Sequence, residues 1–83
     1  MIHCRLAMLL GERKLKISDV ARDTGVNRGT LTRMYQETAE RFDVDVLDVL
    51  CAYLQCGLDE LIAFEPDPDL KGKYRPLGPR RQG

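Results

Sequence analysis

The sequence predicts an all-α domain of five short helices over residues 1–65, followed by an extended or disordered basic tail over residues 66–83. Three observations carry this. Apolar side chains recur at helical spacing in successive short segments, each broken by glycine or by a polar run. Two of those segments, within the stretch KISDVARDTGVNRGTLTRMYQ, are joined by a tight turn at Gly25-Val26. After Phe64 the apolar pattern stops, and proline, glycine and charge take over.

The first segment, residues 2–13, places Ile2, Leu6, Leu9 and Leu10 on one side of an amphipathic helix. Gly11 near its end suggests a terminus or close packing. Arg13, Lys14 and Lys16 make a basic connection to the second helix, and either phosphate contact or plain solvation fits them. Ser18 is the candidate N-cap of that helix, its hydroxyl accepting a free amide, with Asp19 favourable to the dipole in the first turn. Val20 and Ala21 face inward. Gly25 ends the helix, because a left-handed residue there carries no Cβ penalty. Val26 packs inward and Asn27 caps the third helix.

The third helix, residues 27–37, is the informative one. At about 100° per residue, Arg28, Thr32, Gln36, Gly29 and Arg33 fall within one arc of about 140°, and Leu31, Met34 and Tyr35 lie opposite. A solvated helix face usually mixes acids with bases, whereas this one holds two arginines, hydroxyl and amide groups and no acid. Such a face suits DNA, since arginine can donate a bidentate fork to guanine O6 and N7.

The fourth helix, residues 42–55, begins at Asp43 or Asp45 and has a core stripe of Leu47, Leu50, Cys51 and Leu54. A second apolar stripe, Val46, Val49 and Tyr53, is more than one surface helix of a small domain readily buries. It is either overlaid by the C-terminal segment or a self-association surface, and the second is the candidate reading. Gly57 turns the chain into a fifth helix, LDELI, with Leu58, Leu61 and Ile62 inward. Beyond it, Pro66, Pro68, Pro76 and Pro79 preclude a long helix.

Charge is distributed unevenly along a chain whose formal net charge is zero. Residues 1–41 hold eight bases and five acids, residues 42–69 eight acids and no base, and residues 70–83 five bases and no acid. The acidic segment could face a basic protein partner, and the basic tail could face DNA, the acidic half or solvent. Cys4, Cys51 and Cys56 form neither an even disulfide set nor a zinc-type pair, and no metal or cofactor is assigned. With one histidine and no phosphate-cradling loop, the sequence offers no catalytic constellation, so no enzyme is expected. No apolar run reaches the roughly 18–20 residues of a membrane span, and residues 1–13 lack a signal-peptide pattern; a soluble, cytoplasmic chain is expected.

With Val20-Ala21, Gly25-Val26, Asn27, Leu31 and Met34-Tyr35 in place, and RFDVDVLDVLCAYLQCGLDELI following, residues 2–65 resemble the short stand-alone members of the Cro- and phage-repressor-type (XRE-type) helix-turn-helix proteins. The resemblance implies a compact repressor-like domain that binds operator DNA, commonly as a two-fold homodimer on a palindromic site, with the third helix in the major groove. It implies base contacts from Asn27, Arg28, Gly29, Thr32 and Arg33. Lys14, Lys16, Ser18, Gln36 and Arg41 would contact phosphate, setting register without reading sequence. Two positions depart from the family pattern. Ile17 stands where many relatives carry a phosphate-touching glutamine, and Gly29 where a longer base-reading side chain is usual. The competing expectation is a protein-interaction module of the same fold, such as an antitoxin or phage-encoded adaptor, using the acidic residues 42–69.

Overall fold

The computed structural model describes residues 1–66 and Leu77. The elements are β1 (Ile2–Cys4), α1 (Leu6–Arg13), α2 (Ile17–Thr24), α3 (Arg28–Tyr35), α4 (Val44–Leu54), α5 (Leu58–Leu61) and β2 (Ile62–Phe64). The five expected helices are present. The expected tail lies outside the described residues, apart from Pro66 and Leu77.

One core joins all five helices. Leu6, Leu9 and Leu10 of α1, Val20 of α2, Leu31 and Met34 of α3, Leu50 and Leu54 of α4 and Leu61 of α5 are buried with Cys4. Each fully buried leucine of this kind contributes on the order of 1.5–3 kcal/mol. Val20 of α2 and Leu31 of α3, on either side of the Gly25 turn, are wholly inaccessible in the shared core. Gly25 is left-handed, at φ 77°, as the turn requires.

Residues 2–4 are not helical. They pair antiparallel with residues 62–64, in the register Ile2 with Phe64, His3 with Ala63 and Cys4 with Ile62. Arg5 N–H donates to Leu61 O at 2.7 Å, closing the ribbon where the two strands meet α1 and α5. The helical spacing of Ile2 with Leu6 is thus coincidental: Ile2 is 53% exposed while Leu6 is buried. The same ribbon takes Ile62 out of the fifth helix, and Leu58 is exposed rather than inward. Gly11 faces open space, so no close packing explains it.

The helix ends reveal a second pattern. The N-cap of α2 is Lys16, not Ser18. Asp19 accepts the Lys16 N–H at 2.9 Å, which leaves Ser18 exposed inside the first turn. A reaching carboxylate satisfies the free amide, and the hydroxyl is not needed there. Asp43 caps α4 by accepting from Asp45 N–H at 2.9 Å. At the other ends, Lys14, Glu37 and Gln55 are left-handed without being glycine. In α3, Thr38 N–H donates to Arg33 O at 2.9 Å and Glu37 N–H to Met34 O at 3.2 Å. That pair of bonds is a Schellman closure with glutamate where glycine is commonest.

Candidate nucleic-acid interface

Asn27 sets the start of α3. Its Oδ1 accepts from Gly29 N–H at 2.8 Å and from Thr30 N–H at 3.3 Å, so the side-chain oxygen is occupied by the cap. One turn on, the Arg33 side chain runs back toward the helix N-terminus, the direction helical side chains favour. Its Nη2 donates to Thr30 Oγ1 at 3.3 Å. A Cβ on Gly29 would lie 3.4 Å from Arg33 Nη1 and 3.0 Å from Asn27 Oδ1. The guanidinium end of Arg33 thus lies at van der Waals distance from position 29, with the capping oxygen closer still. Thr32 Oγ1 donates to Arg28 O at 2.8 Å, which turns its hydroxyl onto the backbone. Arg28 and Gln36 are exposed, Gln36 as the C-cap of α3.

The expected site residues fall into three places. Arg28, Gly29, Thr32 and Arg33 share α3 with its cap, Asn27. Arg41 and Arg33 both border an open groove of about 510 Å³, with Thr30, Thr38, Ala39, Glu40 and Asp43. Lys14, Lys16 and Ser18 occupy the turn into α2 and its first turn, all exposed. Arg13 is not a member of that basic set: its Nε donates to Leu54 O at 3.0 Å and its Nη1 to Leu9 O at 3.3 Å, bracing α1 on the end of α4. Tyr35, expected inward, is 42% exposed. It follows Met34 at the end of α3, where the core closes over Met34 alone.

The expected self-association stripe is divided by the fold. Val46 and Tyr53 pack against the core, and Val49 alone of the three is exposed. Tyr53 Oη donates to Asp23 Oδ2 at 2.6 Å, tying α4 to α2. Asp23 also accepts from Arg22 Nε at 3.2 Å, and Arg22 Nη2 lies 3.4 Å from Asp19 Oδ1. The Tyr53 hydroxyl, then Arg22, lower the Asp23 carboxyl below its ordinary range, and the same hydrogen bond raises the Tyr53 phenol. A chain of polar contacts thus runs from α4 through α2 to the Lys16 amide.

Sequence reasoning missed Thr30, Asp23 and His3. Thr30 sits outside the contiguous polar arc, but its i, i+3 spacing from Arg33 is a signal for the contact found. His3 bridges two carboxylates, with Nδ1 3.1 Å from Glu37 Oε1 and Nε2 3.4 Å from Glu65 Oε2. This places the end of α3 against the ribbon, a link between distant residues that no local pattern announces. Among the described residues, no helix is long and apolar enough to cross a membrane.

Comparison with known proteins agrees with this geometry. A crystal structure of a Bacteroides fragilis protein, described there as "a putative DNA-binding protein", superposes with a TM-score of 0.67 at 21% identity. The match covers 76% of this chain and 100% of that one, and at this identity it bears on the fold alone. No curated protein sequence matches the chain. The profile of the Cro/C1-type HTH DNA-binding domain matches residues 5–67. With a helix-turn-helix at α2–α3 and a family match over most of its length, the chain belongs to the Cro/C1-type helix-turn-helix DNA-binding domain family.

Proposed function

We propose that the chain is a sequence-specific regulator of transcription, a repressor, that reads the major groove of double-stranded DNA with α3. The observation that carries this is the acid-free polar face of α3, with Arg28 exposed and Arg33 alongside Gly29. Arg28 and Arg33 are the base readers, with Asn27, Gly29 and Thr32 fitting the helix to the groove. Lys14, Lys16, Ser18, Gln36 and Arg41 hold phosphate. Because Asn27 Oδ1 and the Thr32 hydroxyl are already engaged, the two guanidiniums supply most of the base discrimination, each bidentate pair being worth about 1–3 kcal/mol.

So few base contacts per copy favour a homodimer on a palindromic operator, with half-sites about 10 bp apart. Val49 is the member of the α4 stripe left open for pairing. The regulator would work in the cytoplasm, where its DNA is. Selection of bound sequences from a random duplex pool tests the proposal. Recovery of an inverted repeat is the expected result, and unselective recovery would overturn it.

A second reading has its own support. Residues 42–66 carry six acids and no base, a surface suited to a basic protein partner. A stable partner recovered together with failure to bind any duplex, at low as well as high salt, would favour an interaction module over a regulator.

A further inference from the structure

α4 ends in a left-handed residue, Gln55, at φ 52° and ψ 53°. Across that turn, Cys56 N–H donates to Cys51 O at 3.1 Å. A bond of this six-to-one kind brings the side chains before and after the turn into contact, a place where two apolar residues commonly meet. Here both are cysteines, free and only partly buried. Cys51 also borders an open groove of about 360 Å³ with Val44, Leu47, Asp48 and Leu58, so a small solute can reach it. Cys4, the third cysteine, is buried in the core.

We propose that Cys51 and Cys56 form a reversible thiol–disulfide site that reacts with a small disulfide such as glutathione disulfide. Cys51, facing the groove, attacks one sulfur of the oxidant, forming a protein–glutathione mixed disulfide. The released glutathione thiolate takes up the proton that Cys51 lost. Cys56 then attacks the Cys51 sulfur, displaces the second glutathione, and passes its proton to that leaving thiolate. Two protein thiols are oxidised, and one glutathione disulfide is reduced to two glutathione thiols. Burial, then the neighbouring Cys51 thiol, raises Cys56 above its ordinary range, so Cys56 rests as a thiol and acts second, as the resolving group. The bond from Cys56 N–H to Cys51 O holds the two cysteines on adjoining backbone, the proximity a disulfide needs.

The test exposes the full chain to glutathione disulfide, blocks remaining thiols with iodoacetamide in denaturing urea, and measures intact and tryptic masses. Residues 42–71 contain no base before Lys71, so both cysteines lie on one tryptic peptide, while Cys4 lies on residues 1–5. The expected product is a monomer whose 42–71 peptide is lighter by two hydrogens and unalkylated, with Cys4 alkylated and the change reversed by dithiothreitol. Cys56→Ser should stop at the mixed disulfide, one glutathionyl group heavier, and Cys51→Ser should give no 42–71 disulfide. A wild-type chain that stays fully reduced, stops at the mixed disulfide, or instead links two chains would overturn the proposal. None of these outcomes depends on DNA binding.

Discussion

Arg33 lies along α3 over the bare backbone of Gly29, with Nη1 3.4 Å from where a Cβ on that glycine would stand. Glycine in a helix costs about 1 kcal/mol relative to alanine, so Gly29 lowers the stability of α3. Gly29→Ala restores helix propensity but sets a methyl 3.0 Å from the capping Asn27 Oδ1 and against the guanidinium. The expected outcome is a melting temperature close to wild type with weaker binding to the selected operator and little change on random DNA. Paired titrations on the two duplexes check it, and equal losses on both would separate Gly29 from readout.

Arg33 has a partner on its own helix, Thr30, one turn back, and Arg28 is exposed. Either arginine replaced by alanine should cost about 1–3 kcal/mol of operator binding and leave folding stability nearly unchanged. Thr30→Ala should cost less than Arg33→Ala, because it loosens the guanidinium without removing it. The order of the three affinities, measured at one salt concentration, is the readout.

The left-handed helix ends offer a stability test. A side chain at positive φ costs roughly 1–2 kcal/mol in that conformation, though glycine gives some of this back through a freer unfolded chain. Gln55→Gly should therefore raise stability by about 0.5–1 kcal/mol. Glu37→Gly should gain less, since it also loses the exposed contact with His3, worth about 0.2–1 kcal/mol. Urea midpoints of the two variants check the ranking.

Much of this fold can be read directly from residue order. The α2–α3 unit is written locally, with Val20 and Leu31 as its contacts, Gly25 as its turn and Asn27 as its cap. The ribbon is not: it joins Ile2 to Phe64, and three-residue strands carry too little pattern to override the helical spacing of Ile2 with Leu6. Tyr53 misled for a related reason. On a helical wheel it belongs to a spare apolar stripe, yet its hydroxyl reaches Asp23, thirty residues away. At the candidate interface, composition identified the arginines, while the approach of Arg33 to Gly29 and Thr30 follows only from the folded helix.

If Val49 serves pairing, Val49→Asp should reduce association in sedimentation without unfolding the chain, because this side chain is already 38% exposed. Operator binding should then become weaker and less steep with protein concentration. An unchanged association state would exclude this face of α4.

The Tyr53–Asp23 bond predicts a stability difference confined to a window of pH. Asp23 is lowered in the fold, mainly by the Tyr53 hydroxyl, so its contribution is present above the unfolded carboxyl value of about 4 and is lost as pH falls through the folded one. Tyr53 is raised by the same contact, so its contribution is present below the unfolded phenol value of about 10 and is lost as pH rises through the folded one. Tyr53→Phe removes both. Wild type should therefore be the more stable protein between about pH 4 and 10, with the two converging beyond either limit. Thermal melts of both proteins across that range measure the gap. A constant difference from acid to alkali would mean that Tyr53 acts through packing alone, and that α2 is held to α4 without its hydroxyl.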